Sequence, residues 1–178
     1  MHLLTFEKFI LYLSFVTVLL LPFSSVGADE PPASNTPDTL YIVPFLNVMI
    51  PDTLSTQLFD SFIDQMLTAG NERGISIRIL KQDIDSVDKN WLAKQSFITG
   101  ELFGYAEESG CCSTAIEVKV RLFRYQPGAT EPVSEIVVPG DAFFDHDLST
   151  LEAERIVLAR RMAQKLSQRL LAELGPVQ

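Results

Sequence analysis

The segment Thr114–Tyr125 constrains the fold more than any other part of the chain. Ile116, Val118, Val120 and Leu122 alternate with Glu117, Lys119 and Arg121. Successive side chains of a strand point to opposite faces, so this spacing calls for an antiparallel strand with one buried and one wet face. The buried face needs an apolar cover, and two segments supply it. Leu54, Leu58, Phe62 and Met66 recur every four residues, with Phe59, Ile63 and Leu67 as the neighbouring row. They predict an amphipathic helix that starts at Pro51-Asp52, with Asp52 as N-cap, and stops at Gly70. Leu151, Leu158, Met162, Leu166 and Leu170, backed by Ala159 and Ala163, predict a second helix from about Thr150 to Leu174. Ser149 and Glu152 have capping-box spacing at its start, and Gly175-Pro176 ends it.

The remaining elements are strands and one short helix. Leu40–Leu46 is an apolar run rich in β-formers, and Pro44 places it near an edge or an end. Ile75, Ile77 and Ile79 alternate with polar residues in a strand over Ile75–Leu80, which makes a βαβ crossover if the two strands are parallel. Asp88–Gln95 reads as a short helix whose Trp91 is expected to anchor the core. Phe97–Glu107, Thr114–Tyr125 and Val133–Val138 form a meander, with Pro127-Gly128 as a turn and Pro139-Gly140 closing the last strand. The expected fold is an α/β (α+β) two-layer sandwich. It has a mixed sheet of about five strands, in the order β-α-β-(α)-β-β-β-α, with helices packed on one face.

Ahead of this domain stand a Lys8, an apolar run from Phe9 to Phe23, and the small residues Val26-Gly27-Ala28. That is the anatomy of a secretory signal cleaved after Ala28. The run is about 15 residues, short of the roughly 20 that a spanning helix needs. Residues 1–28 are therefore read as signal, 29–38 as a Pro-rich spacer carrying Pro31, Pro32 and Pro37, and 39–175 as a single α/β domain. Asp29 follows the expected cleavage site where a lipoprotein would carry its cysteine, so a lipid anchor is not expected. The expected location is periplasmic, with membrane association peripheral at most.

A net charge of −9 repels phosphate backbones and excludes nucleic acid as a partner class. The only two cysteines are the adjacent Cys111 and Cys112. Export exposes them to oxidising conditions. They are read as a redox-sensitive turn, an intermolecular disulfide or a soft-metal contact, or more plainly as a vicinal disulfide that rigidifies the turn or as two quiet thiols. Arg160, Arg161, Lys165 and Arg169 form a basic stripe on the last helix, either a docking surface for a partner or a solvated face. Asp145-His146-Asp147 is too compressed for one metal ion, and His146 is the only imidazole left after cleavage. No nucleophile elbow, phosphate loop or zinc helix motif occurs. Neither catalysis nor any metal or other cofactor is expected.

Three segments carry a resemblance. Tyr41–Asn47 is an apolar run ending in Pro-Phe and a polar residue, Phe97–Glu101 holds an apolar-Thr-Gly strand, and Val118–Phe123 is a third strand, followed by the Leu-rich helix. Together they resemble the small α/β domain of TolB amino-terminal regions, CsgG-type curli-secretion lipoproteins and lipoprotein activators of penicillin-binding proteins. That resemblance implies a cell-envelope setting with protein partners, and no catalytic residue. The expectation is a non-enzymatic periplasmic adaptor or accessory protein that binds envelope proteins, with a homo-oligomer left open. The alternative is a small-ligand or redox-responsive module built on Cys111 and Cys112.

Overall fold

A computed structural model describes residues 39–175, all within one compact unit. The signal and spacer assignments lie outside the described residues. One mixed sheet carries strands β1 (Thr39–Ile42), β2 (Leu46–Asn47), β3 (Ser76–Ile79), β4 (Ser96–Ser109), β5 (Ser113–Tyr125) and β6 (Ser134–Asp145). Helices α1 (Asp52–Arg73) and α3 (Leu151–Glu173) are long, and α2 (Lys89–Leu92) is a single turn. The sheet order is β3-β1-β4-β5-β6, with β2 extending alongside β4 beyond the end of β1. β1 runs parallel to both β3 and β4, so β1-α1-β3 is a βαβ unit. β4, β5 and β6 form the antiparallel meander.

The alternation in β5 is obeyed: Ile116, Val118, Val120 and Leu122 are buried under the helices, together with Ile98, Leu102, Ile136 and Val138 from the flanking strands. Leu54, Leu58, Phe62 and Met66 of α1 meet them with no exposed surface, as do Leu158, Met162, Leu166 and Leu170 of α3. Each such side chain contributes about 1.5–3 kcal/mol of burial free energy. The two helices run side by side in the same direction. Thr53 donates to Glu152 at their starts (3.4 Å), and Arg73 donates to the carbonyls of Leu171 (2.7 Å) and Gly175 (3.0 Å) at their ends. Arg73 thus satisfies orphan carbonyls at the α3 C-terminus.

Several local expectations are corrected. Helix α1 passes through Gly70 and ends at Gly74, whose φ of 68° forms the left-handed C-cap. Gly70 is instead a contact point, since a β-carbon there would lie 2.6 Å from Ile77 Cγ1. The α1 N-cap is Pro51, without a side-chain bond, and Asp52 sits in the first turn where the helix dipole favours it. Helix α3 is capped by Thr150, whose hydroxyl accepts from the Ala153 N–H (3.3 Å), and not by Ser149. Strand β6 runs seven residues past Val138, straight through Pro139-Gly140. Pro139 is tolerated because β6 is an edge strand and the missing N–H points away from β5. Trp91 is 37% exposed and meets Tyr41 edge-on at 5.0 Å. Its neighbour Leu92 takes the buried position, with Val43 and Phe97 on the sheet face opposite the long helices.

Candidate functional site

The expected cysteine pair stands at the tip of the β4–β5 hairpin. Gly110 N–H donates to the Ser113 carbonyl (2.8 Å), leaving Cys111 and Cys112 as the two loop residues. Both are free thiols and exposed, with sulfurs 3.1 Å apart. The Cys112 carbonyl accepts from the His146 N–H (2.9 Å), and the His146 ring Nε2 lies 2.8 Å from the Thr114 hydroxyl. That hydroxyl also meets Ser109 Oγ at 2.9 Å. The hairpin tip is therefore tied to the connection between β6 and α3. Among the described residues no three His, Cys, Asp or Glu side chains converge to hold a metal ion.

A second cluster locks the same hairpin to α3. Strand β4 shifts register between Phe103 and Ala106, with Gly104 at φ 64° supplying the bulge. Beyond it, Tyr105 Oη donates to Glu107 (2.6 Å), and Arg155 of α3 donates to both Tyr105 (3.1 Å) and Glu107 (2.7 Å). The hydrogen bond from Tyr105 holds the Glu107 carboxyl below its usual range, and Arg155 assists. Burial and the bond to Glu107 push the Tyr105 phenol up. The cluster is a clamp between strand and helix, and only the i, i+2 spacing of Tyr105 and Glu107 marks it in the sequence.

The open face of the sheet is organised around Arg121. Its guanidinium bonds Glu101 on the adjacent strand (2.7 Å) and reaches Glu135 on the other side (3.6 Å). It also stands over the rings of Phe103 (4.9 Å) and Phe123 (5.2 Å). Farther along the same face, Phe97 and Tyr125 stack at 4.4 Å.

The basic stripe of α3 is divided by the structure. Arg169 donates to the Val137 carbonyl (2.8 Å) and Arg161 donates to the Asp141 carbonyl. Both carbonyls flank Pro139 on the outward side of β6, so the two arginines cover part of an exposed strand edge. Arg160 and Lys165 are exposed.

Sequence reasoning missed the loop after β2. Asn47 Oδ1 accepts from the Ile50 N–H (2.9 Å) while its Nδ2 donates to the Ile50 carbonyl (3.0 Å) and the Ser55 hydroxyl (3.3 Å). Pinned this way, Met49 takes φ 59° and is 93% exposed. A non-glycine residue in the left-handed region is strained. Two other large apolar residues are nearly as exposed, Leu148 at 86% and Phe143 at 75%. All three lie toward the end of the molecule from which α1 and α3 start, as the register of β2, β4, β5 and β6 places them.

No protein-family model matches the sequence, and no curated protein matches it. Solved structures do match. A Helicobacter pylori protein described as a homolog of a neuraminyllactose-binding hemagglutinin superposes with a TM-score of 0.52 at 11% identity, over 75% of this chain and 84% of that one. A hypothetical protein of Chlamydia trachomatis gives 0.51 at 9% identity, over 75% and 95%. A lipoprotein of Neisseria meningitidis gives 0.49 at 10% identity, over 78% and 99%. At these identities the likeness is one of fold alone, and it rests on the Helicobacter pylori and Chlamydia trachomatis structures.

Proposed function

We propose that the chain is a non-enzymatic accessory protein of the bacterial cell envelope that works by binding another protein through the end bearing Met49, Phe143 and Leu148. One observation carries this reading: Met49 is held in a strained conformation that turns an apolar side chain almost wholly to solvent. Folding alone gains nothing from that arrangement. Backbone strain and exposed apolar surface both concentrate where a partner docks. The signal-like residues 1–28 and the resemblance of Tyr41–Asn47 and Phe97–Glu101 to TolB-type and CsgG-type domains support the envelope setting. No helix among the described residues is long and apolar enough to cross a membrane. The side chains described above brace one another: even the Thr114 hydroxyl, held against the His146 ring, is buried and tied to Ser109, which favours binding over catalysis.

A photoreactive methionine analogue placed at position 49 tests the proposal in living cells. The expected product is a discrete adduct with one envelope protein. Recovery of the chain without an adduct, or with lipid alone, contradicts it.

A further inference from the structure

We infer that Cys111 and Cys112 are an oxidation site, closed into a vicinal disulfide by exchange with a disulfide-bearing oxidant. The proposal is independent of the binding reading. Both thiols are exposed and their sulfurs are 3.1 Å apart. A disulfide bond is about 2.05 Å, so closure needs the sulfurs to approach by only about 1 Å. The chain has no other cysteine, so any intramolecular bridge is this one. The pair also forms the complete two-residue connection between Gly110 and Ser113, where backbone adjustment disturbs no buried packing.

The exchange balances. The Cys111 thiolate attacks one sulfur of an oxidant R–S–S–R, its S–S bond breaks, and the first RSH leaves. The Cys112 thiolate then attacks Cys111 in the mixed disulfide and expels the second RSH. The two protein thiols lose two electrons and two protons, and the oxidant takes both. Adjacent trans residues hold their Cα atoms ~3.8 Å apart, closer than the about 4.4–6.8 Å that relaxed disulfides prefer. The bridge is therefore strained and readily reduced, which makes the modification reversible.

Closure also has a route outward. It constrains the Cys111–Cys112 peptide, and the carbonyl of the peptide that follows, on Cys112, accepts from the His146 N–H. His146 begins the connection from β6 to α3 that carries Leu148. Oxidation at the tip is thus read by the β6–α3 connection.

Incubating the full chain with oxidised glutathione tests this. The expected monomer loses two hydrogens by intact mass and keeps no glutathione. Its His146 amide resonance moves, that of Arg121 stays, and dithiothreitol reverses both changes. Cys112→Ser should stop at a glutathione adduct on Cys111. Wild-type protein that retains glutathione, becomes disulfide-linked dimer or stays fully reduced overturns the proposal. Closure that leaves the His146 amide unmoved overturns the link to the β6–α3 connection.

Discussion

Met162 of α3 packs directly on the backbone of Gly140 in β6. A β-carbon at position 140 would stand 2.8 Å from Met162 Cγ, inside any real contact distance. The close approach of helix to edge strand therefore depends on a glycine. Gly140→Ala should destabilise the fold by about 1–3 kcal/mol, the usual cost of overpacking. Combining it with Met162→Ala should recover part of that loss, because the two sites share one contact. Denaturant unfolding of the four proteins in this cycle measures the coupling. Additive effects would show that the helix stands farther from the sheet.

Arg161 and Arg169 cover outward carbonyls of an edge strand twelve residues long. Replacing both with Ala should cost little stability, on the order of 1 kcal/mol or less each, because both side chains are exposed. The larger effect should be self-association, since an uncovered strand edge pairs with other chains. Sedimentation velocity over a concentration series should show new higher oligomers in the double variant and not in Arg160→Ala. If instead Arg160 and Lys165 carry a docking function, their substitution lowers partner capture and leaves the oligomeric state alone.

Glu107 gives the fold a pH dependence. Its carboxyl is held below the ordinary value of 4.5, chiefly by the hydrogen bond from Tyr105. A group whose folded pKa is depressed contributes stability that is present above its unfolded pKa and is lost as pH falls through the folded one. The clamp between Tyr105, Glu107 and Arg155 should therefore hold at neutral pH and release below about 4.5. Melting temperatures followed down the acid range should fall less steeply in Glu107→Gln than in the wild type. Parallel curves would remove Glu107 from the account.

Much of this fold is legible in the sequence. Ile116, Val118, Val120 and Leu122 announced the sheet, and the four-residue rows of Leu54 and Leu158 announced the helices that cover it. These patterns report burial, which dominates the energetics. Glycine and proline misled where tertiary contact overrides local signal. Gly70 looks like a helix stop, yet it exists so that Ile77 can approach. Pro139 looks like a strand stop, yet its outward position on an edge costs no ladder bond. Trp91 has the composition of a core anchor, but Leu92 beside it has the buried register. The strain at Met49 was invisible because nothing in Asn47-Val48-Met49-Ile50 states that the Asn47 side chain will clasp Ile50. The partition of the basic stripe was equally hidden, since helix periodicity does not say which strand edge the arginines will meet.

Met49 is where stability and binding separate. Met49→Gly removes the left-handed strain, which is worth about 1–2 kcal/mol for an ordinary residue, while glycine gives back about 0.5–1 kcal/mol in backbone entropy. The net change in stability should be near zero or favourable. The same substitution removes the exposed apolar side chain. The most direct measurement is therefore paired: unfolding free energy and capture of envelope protein, for wild type and Met49→Gly side by side. Stability should be unchanged or higher, with capture reduced about tenfold, the loss of about 1.4 kcal/mol of contact. Undiminished capture by a stable Met49→Gly would contradict binding through Met49.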